Sequence, residues 1–190
     1  MKNDSKMMNG DESLKLITEM IQKTRSNIKQ GSFHLLFWGW LILFCSLAEF
    51  LLTYFSDFKY PYLVWMLTLP GLIVSLIYGY RTGRKQLVHT YADKLNMWTW
   101  YAFIAAMIIV FTLLSDRLND VLPFILLLAG YATFMSGIII RFKPLIFGGI
   151  SFWVFAVIAY FTEPMVAQIL FSVAIITGYL IPGYLLRKSK

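Results

Sequence analysis

One carboxylate, Glu49, stands inside a long apolar run that holds no other Asp, Glu, Lys or Arg between Phe33 and Ser56. An ionisable group held at membrane depth is costly, and it marks either a pathway for an ion, proton or substrate or a packed polar tie. A transport path would need further polar groups at the same depth. The apolar runs offer scattered hydroxyls (Thr53, Thr68, Ser75, Thr112, Thr133, Ser136, Ser151, Ser172) and the amide of Gln168. Pro70-Gly71 breaks the next apolar run and would open room beside the carboxylate as a hinge. Lys59 or Arg117 could pair with it from flanking loops. A packing role for Glu49 is the first expectation, and an ion- or proton-handling role the alternative.

The other titratable candidates are His34, His89 and Asp93. His89 and Asp93 fall one helical turn apart. Membrane acyltransferases place four residues between such a His and Asp, and here three intervene, so surface pairing is expected instead. Two His and one Asp could approach a metal, but the sequence supplies no third or fourth ligand at a fixed spacing, and no metal or other cofactor is expected. The chain also lacks an intramembrane Asp pair, a Gly-x-Ser-x-Gly elbow, a phosphate-cradling glycine loop and a His-Glu-x-x-His motif. A non-enzymatic protein is expected.

The elements that carry these residues follow from composition. Of 190 residues 58% are hydrophobic and only 14% charged, with mean hydropathy +0.65, where a soluble domain carries roughly 25% charged residues. Crossing the hydrocarbon takes about 20 helical residues. Six runs meet that length: 33–55, 61–80, 96–114, 121–140, 144–161 and 164–186. Pro61, Pro144 and Pro164 fall where a first helical turn has no need of their missing N–H, whereas Pro182 marks a second bend, near the end of span 6. Trp38, Trp40, Tyr78, Tyr80, Trp98, Trp100 and Tyr101 form one interfacial belt; Tyr54, Tyr60, Tyr62 and Trp65 form the other.

Charge orients the spans. Fifteen of the 17 Lys and Arg residues lie in alternate connections or at the termini, leaving only Lys59 and Arg117 on the other side. By the positive-inside rule both termini are cytoplasmic. The net charge of +7 then suits anionic inner-leaflet lipid rather than nucleic acid, since no basic stripe sits on a separate domain. The first apolar run begins only at Phe33, which reads as an uncleaved anchor. The lone Cys45 excludes an intrachain disulfide.

Residues 1–30 form a cytoplasmic segment. Within about 11–30, Leu14, Ile17, Ile21, Thr24 and Ile28 make one apolar stripe, with Lys15, Glu19 and Lys23 opposite. This amphipathic helix would lie on the membrane surface or bind a partner protein or second copy, with Gly31-Ser32 as its joint to the membrane domain at 31–190. Short outer connections give an all-α, polytopic fold of six transmembrane helices in three antiparallel hairpins. Ala129, Thr133 and Gly137 repeat every four residues on span 4, a face for close helix packing or homo-oligomerisation. Gly148-Gly149 and Ala156 on span 5, and Ala174 and Gly178 on span 6, offer matching surfaces. Span 4 should be the most enclosed. A weak likeness between Leu35-Leu36-Phe37-Trp38-Gly39-Trp40 and Leu145-Ile146-Phe147-Gly148-Gly149-Ile150 hints at a hairpin repeat.

Glu12-Ser13-Leu14-Lys15 through Gly31, then Phe37-Trp38-Gly39-Trp40, the stretch Lys143-Pro144-Leu145 to Ile150, and Tyr179-Leu180-Ile181-Pro182-Gly183-Tyr184 resemble a family of uncharacterised small six-span bacterial integral membrane proteins. The resemblance implies a bacterial cytoplasmic membrane and brings no activity. In outline alone the layout is also similar to the acid-resistance six-span membrane family. The functional expectation is an accessory or regulatory membrane component; the alternative is a small transporter or channel using Glu49.

Overall fold

The computed structural model describes residues 10–56, 58–83, 91–117 and 120–188, with side chains described from residue 32 onward except 82–83. Among the described residues the chain is helical throughout, with no strand. Six helices among the described residues are long and apolar enough to cross a membrane: Ser32–Phe55, Pro61–Arg81, Tyr91–Leu113, Val121–Ile139, Lys143–Tyr160 and Pro164–Lys188. They are called spans 1 to 6. Large apolar side chains such as Leu51, Phe55, Leu76, Ile108, Phe147 and Phe161 stand on the outside, a surface that suits lipid and not water.

The first helix, α1, runs from Gly10 to Phe55 without interruption. The joint expected at Gly31-Ser32 is therefore absent. A Gly in a helix interior costs only about 1 kcal/mol relative to Ala, and Ser32 is buried, so flanking helix and packing carry the chain straight through.

Span 2 also departs from expectation. It begins as a 3₁₀ segment, Pro61–Leu67, and becomes α-helical only at Thr68. Thr68 marks the change: its N–H reaches the Met66 and Trp65 carbonyls, and its Oγ1 donates to the Trp65 carbonyl at 2.6 Å. Pro70 then falls in the first turn of the α segment, where its missing N–H is tolerated. The mid-span break comes from this change of helix type upstream of Pro70. Gly71 acts by its size: a Cβ there would lie 2.4 Å from Leu41 Cδ2, so its hydrogen lets spans 1 and 2 touch.

Spans 4 and 5 form the most extensively packed pair, joined by a turn of three residues. Phe142 N–H bonds the Gly137 carbonyl at 2.9 Å and Arg141 N–H bonds the Ile138 carbonyl at 3.1 Å. This pattern ends a helix with one residue in the left-handed region, and Arg141 occupies it at φ 55°. Pro144 then opens span 5 in its first turn. Past the turn the backbones touch: a Cβ on Gly149 would lie 2.6 Å from Phe134 N, and one on Gly137 would lie 2.7 Å from Ile146 N. Ala129, Thr133 and Gly137 are all buried, and the Gly137 surface is occupied by span 5 of the same chain.

Span 6 is the most enclosed, with 56% of its apolar window buried against 39% for span 4. The expectation that span 4 would be central is corrected. Span 4 keeps its small residues on one side and exposes Leu127, Tyr131 and Ile138 on the other. Span 6 instead packs against spans 1, 4 and 5. Its middle is a π-helical turn, Ile176–Leu180. A proline inside an α-helix collides with the carbonyl four residues earlier; for the buried Pro182 that carbonyl is Gly178, and the widened turn makes room. Gly178 itself meets Phe152, whose ring would lie 2.1 Å from an added Cβ, and its carbonyl faces Gly148 of span 5. The small surfaces of spans 5 and 6 thus meet.

Spans 2 and 3 contrast with this core. Only 6% of the span 2 window and none of span 3 is buried. Span 2 packs on span 1, and span 3 packs on span 4.

Candidate functional site

Glu49 lies at the meeting of spans 1, 2 and 6. Trp65 Nε1 and Gln168 Nε2 both donate to its Oε2, each at 2.9 Å. Neither donor carries charge, and among the described residues Glu49 forms no ion pair. Lys59 instead places its ammonium 5.4 Å from the centre of the Tyr60 ring. The 3₁₀ start of span 2 and the enclosed start of span 6 together deliver these two donors. Trp65 also packs edge-on against Phe171 of span 6, ring centres 6.2 Å apart. One turn toward the middle of the span, Ser46 and Ser172 share a buried hydrogen bond of 2.9 Å. Cys45 is fully buried and donates to the Val64 carbonyl at 3.6 Å. Spans 1, 2 and 6 are therefore fastened by a short polar ladder, with the carboxylate at one end.

The remaining polar side chains make separate ties. Trp38 Nε1 donates to Ser75 Oγ at 3.3 Å, and the same hydroxyl lies 3.2 Å from His34 Nδ1, linking spans 1 and 2. Phe33 and Tyr78 stack beside them with ring centres 3.8 Å apart. Ser136 donates to Asn96 Oδ1 at 2.7 Å between spans 4 and 3. Ser151 and Thr177 lie 3.2 Å apart between spans 5 and 6. Trp40 donates to the Tyr184 hydroxyl at 3.2 Å between spans 1 and 6. Among the described residues no buried side-chain nitrogen or oxygen lacks a partner.

Of the weaker candidates, His34 is engaged with Ser75, and Asp93 lies in the first turn of span 3, which begins five residues earlier than expected, at Tyr91. His89 lies outside the described residues. Among the described residues no three His, Cys, Asp or Glu side chains gather as metal ligands. Pro70 is exposed and makes no part of the Glu49 cluster.

Two members of this cluster were not legible as such. Trp65 reads in sequence as an interfacial anchor, yet its indole N–H is turned onto Glu49. Gln168 reads as one of several scattered polar groups. The usable signal was its rarity, as an amide well inside an apolar span that needs a partner there. No family model, curated protein or solved structure matches this chain.

Proposed function

We propose that this chain is a non-enzymatic accessory or regulatory component of a bacterial cytoplasmic membrane, with both termini in the cytoplasm. The observation that carries this reading is how the polar side chains within the spans are used. Glu49, Trp65, Gln168, Ser46 and Ser172 fasten spans 1, 2 and 6 to one another, while Ser136–Asn96 and Ser151–Thr177 tie other helix pairs, so the polar groups are spent on helix contacts. The almost bare spans 2 and 3 leave broad apolar faces for lipid or membrane partners. The cytoplasmic excess of Lys and Arg supports the orientation and attraction to anionic inner-leaflet lipid. Packing between spans 1 and 2, 3 and 4, and 5 and 6 supports the three-hairpin layout. The stripe of Leu14, Ile17, Ile21 and Ile28 supports an amphipathic surface over residues 11–30, for the membrane face or a partner. The test is deletion of residues 1–30, read by native gel migration of the protein in membranes solubilised under mild conditions. A change in assembly size supports the accessory reading; identical migration removes it.

A second reading, transport, is favoured by one observation: the Glu49 carboxylate has no cationic partner among the described residues. Reconstituted vesicles carrying a pH-sensitive dye separate the two. Flux above protein-free vesicles that vanishes in Glu49→Gln would establish transport, and no flux supports the accessory role.

A further inference from the structure

Along span 6, Val173, Thr177, Ile181, Tyr184 and Lys188 follow one another at four, four, three and four residues, which places them on one helix face. None of them is buried, whereas Phe171, Ile175, Tyr179 and Leu186 on the other side are. Two contacts fix the flanks of this strip. Ser151 of span 5 lies 3.2 Å from the Thr177 hydroxyl, and Trp40 of span 1 donates to the Tyr184 hydroxyl at 3.2 Å. The strip therefore runs along the outside of span 6 between spans 1 and 5. Its chemistry is ordered along the axis. Lys188, with Arg187 beside it, stands in the last helical turn. One turn inward, about 6 Å along the axis, the Tyr184 oxygen accepts from Trp40, which leaves its own proton to donate; among the described residues it meets no acceptor. Further inward the strip is apolar, with Ile181 and Val173 exposed. The single acidic residue on spans 1, 5 and 6 is Glu49, near the far end of span 1, so nothing on these helices neutralises the cations here.

We propose that this strip binds one anionic glycerophospholipid. Lys188 pairs with the phosphodiester, Tyr184 donates to a phosphate or ester oxygen, and an acyl chain lies over Ile181 and Val173. The order of groups selects the occupant: cation, hydroxyl donor and apolar surface match phosphate, ester and chain from the interface inward. A zwitterionic lipid offers the same phosphate and esters, but its own cation competes with Lys188. Basic side chains at the cytoplasmic ends of packed spans are where anionic headgroups are held. The site deepens the attraction to anionic inner-leaflet lipid proposed above, and rests on that reading for the leaflet it serves. Trp40 positions the Tyr184 hydroxyl and thereby couples spans 1 and 6 to the bound lipid.

The test is native mass spectrometry of the full chain in detergent, titrated with phosphatidylglycerol and phosphatidylcholine of identical acyl chains. The expected result is retention of phosphatidylglycerol about tenfold or more above phosphatidylcholine, the worth of one charge-assisted hydrogen bond. Lys188→Gln should remove most of that preference. Lys94→Gln, the same change of charge at an exposed position of span 3, should keep it. Tyr184→Phe should weaken retention of both lipids about threefold, the worth of one neutral hydrogen bond. Equal retention of the two lipids by the unaltered chain overturns the proposal. An unchanged preference in Lys188→Gln, or an equal loss in Lys94→Gln, also overturns it and leaves only attraction spread over the whole basic face. A dimer that Lys188→Gln disperses would assign the strip to a second copy and overturn it too. Residues 1–30 play no part in this site, so it and the accessory reading fail separately. The altered side chains are exposed, and the comparison of the two lipids on the unaltered chain stands whatever a variant does.

Discussion

Replacing Gln168 by Leu should change sign in its effect on stability according to what occupies position 49. In the unaltered chain the substitution removes one of two 2.9 Å bonds to the Glu49 carboxylate. Interhelical hydrogen bonds in membranes average about 0.6 kcal/mol and reach about 1.7. A loss of about 0.6–1.7 kcal/mol is therefore expected. In a Glu49→Leu background the Gln168 amide faces no acceptor there, and stranding a buried polar group costs about 1–3 kcal/mol. Gln168→Leu should then be neutral or stabilising. Glu49→Leu alone is a poor probe, because losing the bonds is offset by relief of an insertion cost of up to about 3 kcal/mol for an intramembrane charge. Only the interaction energy from the cycle isolates the tie. The assay is reversible unfolding in mixed micelles by titration with dodecyl sulfate, followed by far-UV circular dichroism. If Gln168→Leu has the same effect in both backgrounds, within about 0.5 kcal/mol, the carboxylate does not fasten span 6 and the site described here is wrong.

Three further outcomes follow from the packing. Gly178→Ala drives a methyl into the Phe152 ring and should cost about 1–3 kcal/mol, with Phe152→Leu restoring part of the loss in the same unfolding assay. Gly149→Ala meets Phe134 backbone, whereas Gly79→Ala meets nothing within 4 Å; the first should destabilise, and the second should stabilise by about 0.4–1 kcal/mol. Arg141→Gly removes the Cβ from a left-handed residue, a relief of about 1 kcal/mol, so its unfolding midpoint should rise or hold while Arg141→Val falls.

Composition and run length were enough to read the number of helices and their approximate limits, because the cost of exposing backbone to hydrocarbon leaves so few solutions. What escaped the sequence was geometry that depends on partners. Pro70 reads as a mid-helix break until the 3₁₀ start of span 2 moves it into a first turn. The turn between spans 4 and 5 escaped because Arg141 stands where glycine usually signals a left-handed end. Span 6 became the centre through its π turn, which no single residue announces, although Pro182 demands some accommodation. Span 4 carried the clearer small-residue stripe, but its closest approaches, at Gly130 and Gly137, are all to span 5. The Glu49 cluster was half legible: the carboxylate was conspicuous, but its partners lie 16 and 119 residues away in sequence, and no local pattern joins them.

The orientation of the six spans underlies the accessory reading and the expected attraction to inner-leaflet lipid. It is tested most directly by single-cysteine labelling in intact cells, with the buried Cys45 replaced by Ala. Cysteines at positions 6, 59, 117 and 189 are treated in turn with a membrane-impermeant maleimide, before and after permeabilisation. The account predicts that positions 59 and 117 label in intact cells, while positions 6 and 189 label only once the membrane is opened. Labelling of positions 6 and 189 from opposite sides, or of both from outside, would contradict it.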